Sequence, residues 1–112
     1  MTVFEKIAAG EIPARVIEET DEFVVVHDVN PQAPVHALMF PRRVIKRIGD
    51  ARLEDADLLG RMLVAVPGIA RRLGIAESGF RVVINHGPNA GETVPHLHIH
   101  LLGGRRLEWP PG

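Results

Sequence analysis

Two helical stretches and about five antiparallel strands predict an α+β fold. Three observations lead there. Short runs rich in Val, Ile and Phe are separated by turn residues, as antiparallel strands are. One stretch, from about Asp55 to Leu73, keeps the three-to-four-residue spacing of an amphipathic helix. Near the C-terminus, His96-Leu97-His98-Ile99-His100-Leu101-Leu102 alternates polar and aliphatic residues with period two, which only an extended strand converts into two distinct faces.

In chain order, Val3 to Ala9 is expected to form a short helix that Gly10 ends, with Val3, Phe4 and Ile7 on one face. Arg15–Glu19 and Phe23–Asp28 are β-branched runs flanking Thr20-Asp21-Glu22 and are read as a hairpin. Val29 to Pro34 is a loop, because Pro31 and Pro34 both block ladder pairing. A third strand, Val35–Phe40, is stopped by Pro41. Asp50 or Asp55 caps the main helix, and Gly74 closes it. Leu59, Met62, Leu63, Val66, Ile69, Ala70 and Leu73 form its expected buried stripe. Pro67 inside that helix removes a backbone donor and predicts a kink, with Gly68 absorbing strain. Phe80–Asn85 is a fourth strand, His86–Thr93 a turn-rich loop, and the histidine strand follows.

At 112 residues the chain is expected to be one domain, and its 46% hydrophobic content beside 24% charged residues reads as globular and soluble. No 18-residue apolar run predicts a membrane span, and Met1 to Lys6 lacks the layout of a signal peptide. With no cysteine, disulfides and thiolate metal sites are excluded, and a cytoplasmic location is the expectation. A net charge of −1 offers no broad attraction to nucleic acid or membrane. Only 4% of residues are aromatic, which argues against a platform for stacking single-stranded bases.

In a strand, His96, His98 and His100 share one face, about 6–7 Å apart, while Leu97, Ile99 and Leu101 share the other. Imidazole can be nucleophile, proton carrier or metal ligand near neutral pH. Three readings compete: a structural row that satisfies hydrogen bonds, a zinc site, and metal-free nucleophilic catalysis by the middle ring. Zinc would want partners orienting each imidazole, and no carboxylate adjoins the triad in sequence, so no metal and no cofactor is expected. His36 gains interest only if the fold carries it to the triad. Asp28 could bind a ribose diol or cap a turn. Gly87 to Thr93 offers two glycines and a hydroxyl, suited to presenting N–H groups to a phosphate. His27 and His86 read as surface or supporting groups.

Together these residues resemble the signature of the histidine-triad (HIT) superfamily of nucleotide hydrolases and transferases. His27 to His36 and the ending Trp109-Pro110-Pro111-Gly112 are similar to its Hint branch, and the resemblance spans nearly the whole chain. It implies a HIT-like fold and a homodimer that cleaves the P–N bond of adenosine or guanosine monophosphate amides. It implies His98 as the nucleophile on phosphorus, His96 orienting it through its backbone carbonyl, and His36 extending that hydrogen-bond chain. His100 and Thr93 would contact the phosphate and leaving group, with Asn85 and Gly91 also on the phosphate side. Asp28 would hold the ribose hydroxyls, and Val3, Phe4, Ile7, Phe23 and Val29 would line the base pocket. Pro95 stands where the resemblance expects a bulkier residue, and Pro67 interrupts a helix expected at the dimer interface. A dinucleoside polyphosphate hydrolase and a nucleotide-binding regulatory protein remain alternatives.

Overall fold

The computed structural model describes residues 1–112. Helix α1 (Val3–Ala8) precedes strands β1 (Val16–Glu19), β2 (Phe23–His27) and β3 (Val35–Pro41). Helix α2 (Ala56–Arg72), β4 (Phe80–Val83) and β5 (Ile99–Gly103) complete the fold. The strands form one antiparallel sheet in the order β1-β2-β3-β5-β4. This is the α+β architecture expected, five antiparallel strands with one long helix and one short one.

Alternation along each strand divides the sheet into two faces. Phe23 and Val25 of β2, Ala37 and Met39 of β3, and Ile99 and Leu101 of β5 pack under α2 in the main core. Helix α2 lowers Leu58, Met62, Val66, Ile69 and Ala70 onto them, a spacing of three and four that keeps one stripe inward. Leu58 belongs to that stripe. Leu63 does not: it is 47% exposed, because it lies a residue beyond the Met62 contact line and turns outward. The helix runs unbroken through Pro67. On the opposite face, Phe4 of α1 packs with Val24, Val26 and Phe40.

The helix begins later than Asp50. That residue ends a separate 3-10 turn, Ile48–Asp50. Asp55 stands at the α2 N-cap, yet its carboxylate accepts from the Arg52 amide three residues back and pairs with Arg43. The histidine segment also departs from the expectation. β5 starts at Ile99, so of the triad only His100 is in the ladder. His96 lies in a bend and Leu97 and His98 stand outside the ladder, anchored by the Leu97 amide donating to the Ile45 carbonyl at 2.6 Å. Leu97 still joins the core under α2, so the alternation survives without the ladder.

Candidate active site

The three triad imidazoles line one side of the sheet, walled by α1. The His98 ring lies 5.0 Å from that of His100 and 4.8 Å from Phe4. Phe4 also stacks on Phe40 at 4.6 Å and meets the edge of His96 at 5.7 Å. His96 is wholly buried and His98 nearly so.

Groups that can play only one hydrogen-bonding part determine the tautomers. The Pro41 carbonyl can only accept, so His96 Nε2–H donates to it at 2.8 Å. The other ring nitrogen of His96, Nδ1, therefore accepts from the Thr2 hydroxyl at 2.9 Å. His98 Nδ1–H donates to the His96 carbonyl at 2.7 Å, which leaves Nε2 of the neutral ring as a free lone pair. At His36 the backbone N–H of Gln32 donates to Nδ1 at 3.0 Å, so Nε2 carries the proton. That proton is shared between His100 Nδ1 at 2.9 Å and Asp28 Oδ2 at 3.3 Å. His100 is left with Nε2–H as an uncommitted donor.

Burial disfavours the charged form of His36, His96 and His100. His100 is pushed down to about 4, first by burial and then by the neighbouring His98 and His36 imidazoles. Burial lowers His36 as well, against the pull of the Asp28 carboxylate. His96 is lowered for the same reason, against its bond to Pro41.

The chain of bonds differs from the expected one at two points. His36 connects to His100, not to the His96–His98 pair, because His36 opposes Leu102 in the β3–β5 ladder and lies diagonal to His100. A carboxylate does adjoin the triad: the fold brings Asp28 beside His36 and His100, and ligating atoms of the three lie within 4.8 Å of one another. The bonding there suits a proton relay better than a metal. With Nδ1 accepting from Gln32, His36 Nε2 keeps its proton and has no lone pair to coordinate with, unless the ring becomes imidazolate or the Gln32 bond breaks.

Asp28 uses its other oxygen, Oδ1, to cap the turn at Asn30 at 2.8 Å. Ile7 packs beside Phe4, and Val29 is 98% exposed, open to a ligand. Phe23 cannot line this side, since it points into the core under α2; Val26 faces Phe4 in its place. Val3 is half-exposed. Asn85 lies apart from the triad bonds, in the wall of a cavity of about 650 Å³ shared with Leu102, Asn89 and the C-terminal tail. Gly87 and Gly91 take φ of 83° and 82°, which a side chain disfavours, and bracket a turn at Pro88–Ala90. Glu92 braces this loop: it accepts from the Gly87 amide and pairs with Arg47 at 2.8 Å. Thr93 follows, exposed. His86 accepts from the Gly49 amide at 3.1 Å, a supporting contact. Trp109 is 80% exposed with the Arg81 guanidinium 6.0 Å from its ring centre, and Arg105 donates to the Gln32 carbonyl.

Thr2, Gln32 and Pro41 are the residues the sequence reading missed. Two of them act through backbone atoms, which no residue type advertises. Thr2 had a signal, since Thr2-x-x-Glu5 before an apolar run is a capping box, but that pattern says nothing of His96.

The HIT domain family model matches residues 9–107. The chain belongs to the HIT family. It is 51% identical to an uncharacterised HIT-like protein of Synechococcus elongatus, over 99% of this chain and 96% of that one. It is 43% identical to the adenylylsulfatase HINT1 of Arabidopsis thaliana, over 99% of this chain and 76% of the relative. The crystal structure of a HIT family hydrolase from Legionella pneumophila superposes with a TM-score of 0.97 at 42% identity, covering 100% of both chains. Within the HIT family this chain is thus similar to Hint-like proteins, and no helix of it is long and apolar enough to cross a membrane.

Proposed function

We propose that this HIT protein hydrolyses purine nucleoside 5′-phosphoramidates: His98 Nε2 attacks the α-phosphorus as the P–N bond breaks, and the amine departs with a proton taken from solvent water. The carrying observation is the bond from His98 Nδ1–H to the His96 carbonyl at 2.7 Å, which leaves Nε2 as the attacking lone pair. Water then hydrolyses the nucleotidyl-His98 intermediate and frees the nucleoside monophosphate. His100 Nε2–H, held neutral, would donate a hydrogen bond to a phosphoryl oxygen, and Thr93 with the amides of the Gly87–Thr93 loop would add further donors as charge develops there. Asp28 would take the ribose hydroxyls; Phe4, Ile7, Val26 and Val29 would bracket the base. The experiment is turnover of an AMP–lysine conjugate on the purified protein, with acid-quench mass spectrometry for AMP on His98. An inert conjugate and no adduct would overturn the proposal.

A second reading has its own support. An amine must gain a proton to depart, and a His100 pushed down to about 4 is no imidazolium at neutral pH. Sulfate leaves as a stable anion without one, and the Arabidopsis relative is an adenylylsulfatase. Adenylyl sulfate therefore belongs in the same assay, beside a diadenosine polyphosphate. The substrate with the highest kcat/KM identifies the leaving group.

We also infer a two-fold homodimer located in the cytoplasm, without nucleic-acid or membrane partners. β4 is an unpaired sheet edge with Val82 exposed, and Leu63 and Val64 of α2 are exposed too. Light scattering at micromolar concentration tests this; a fully active monomer would remove it. Neither metal nor cofactor enters the scheme, so exhaustive chelation should leave the rate unchanged.

A further inference from the structure

We propose that Thr2 is a positioning residue: its hydroxyl clamps His96 and, through His96, sets the aim of the His98 nucleophile. This rests on the assignment of His98 above.

The His96 ring is held at both nitrogens. Nε2–H donates to Pro41 at 2.8 Å and Nδ1 accepts from Thr2 Oγ at 2.9 Å. The residue so fixed supplies the carbonyl to which His98 Nδ1–H donates. A rotation of residue 96 would swing that carbonyl and turn the His98 ring with it. Pro41 lies in β3, inside the sheet, whereas Thr2 stands at the start of α1, 94 residues from His96 in sequence. The second anchor is thus the one that couples the nucleophile to α1.

Thr2 does two things at once. As N-cap of α1 its oxygen accepts from the Glu5 amide at 3.1 Å, while the Glu5 carboxylate accepts from the Thr2 amide at 2.9 Å. The hydroxyl has a single proton, and with the oxygen accepting from Glu5 that proton is free to go to His96. Helix α1 carries Phe4 and Ile7, the expected walls of the base pocket, and Phe4 touches both His96 and His98. One hydroxyl therefore links the base-binding helix to the attacking ring. Within the helix alone, a cap needs only an acceptor at this position.

That difference separates positioning from capping. Thr2→Ser keeps acceptor and proton. Thr2→Asp keeps a good N-cap but has no proton to give, and its carboxylate draws a proton onto His96 Nδ1. Thr2→Ala removes both functions. The expected result is a Ser variant within twofold of the wild type. The Asp and Ala variants should lose about tenfold in kcat, the scale of one net hydrogen bond, with KM nearly unchanged. Only Ala should also lower Tm appreciably. Imidazole nitrogen NMR gives a reading independent of turnover: His96 neutral with its proton on Nε2 in the wild type and the Ser variant, and an imidazolium in the Asp variant. Asp and Ala variants that keep kcat within twofold would reduce Thr2 to a helix cap and overturn the proposal. A Ser variant as slow as Ala would overturn it too. A wild type that neither turns over nor forms the adduct would instead remove the His98 assignment, while the His96 nitrogen shifts would still report whether the clamp exists.

Discussion

The two faces of the sheet are made by the same strands and answer to different physics. Under α2, Leu97, Ile99 and Leu101 join Met62, Val66 and Ile69 in an apolar core whose contacts are non-directional, so a similar volume serves nearly as well. On the other side, His96, His98 and His100 stand in register with them, one residue out of step, and every ring nitrogen but two has a stated partner. The two without one are His98 Nε2 and His100 Nε2, a lone pair and an N–H, and those are the atoms the proposed chemistry needs. The lesson is a division of labour: one face supplies cohesion, the other supplies fixed partners that aim the imidazoles.

Substitutions should break the two faces differently. The largest effect is expected from His98→Ala, which removes the nucleophile and with it a whole pathway. Turnover should fall by at least about a thousandfold while nucleotide binding persists, read by quench kinetics and calorimetry. A variant keeping most of its rate would move the nucleophile elsewhere. Met62→Ala on the helix face should do the reverse. Met62 is fully buried, so truncation should cost about 2–5 kcal/mol in urea unfolding and leave kcat of the folded protein close to wild type. A Met62 variant of normal stability but low kcat would show that the faces are not separable.

His36→Ala sharpens the comparison within the site. It removes the donor to His100 Nδ1 and the partner of Asp28, but neither the nucleophile nor its carbonyl anchor. A measurable rate should remain, lower by about tenfold. A loss as deep as that of His98→Ala would make the His36–His100 relay part of the attack itself.

The smallest effect concerns acid. His36, His96 and His100 all sit below their ordinary value, His100 at about 4, so the folded protein binds fewer protons than the unfolded chain across the interval below an unfolded value of about 6.5. Stability from this source is complete above that unfolded value and declines as pH falls from there towards 4. Urea midpoints at pH 7 and pH 5 measure it, and His100→Gln should flatten the slope. An equal slope in that variant would assign the acid sensitivity to other groups.

Much of this molecule was legible in its sequence, because much of it rests on local periodicity. Period two in residues 96 to 102 told which side chains share a face even where β5 does not reach, since Leu97 still enters the core under α2 while His96 and His98 meet Phe4 on the other side. Helical spacing found Met62, Val66, Ile69 and Ala70, and failed at Leu63 and Leu58, where one step of 100° decides between core and solvent. Phe23 was put in the base pocket by the resemblance alone, and the sequence could not correct it: a run of Phe and three valines is apolar on both sides and carries no polar residue to mark its orientation.

What the sequence by itself determined, then, is the set of imidazoles, the strand-like geometry that aligns them, and the glycines that let the Gly87–Gly91 loop turn. Spacing along the chain says which way a residue faces but not what it faces. Only the tertiary structure decided that His36 meets His100 with Asp28 behind it, a consequence of β3–β5 register. The same holds for the Pro41 carbonyl and the Thr2 hydroxyl, which grip the two nitrogens of one ring from 55 and 94 residues away in sequence. The Pro41 and His96 carbonyls and the Gln32 amide set the tautomers of His96, His98 and His36, because each admits only one role and the ring must take the other, and His36 passes the assignment on to His100.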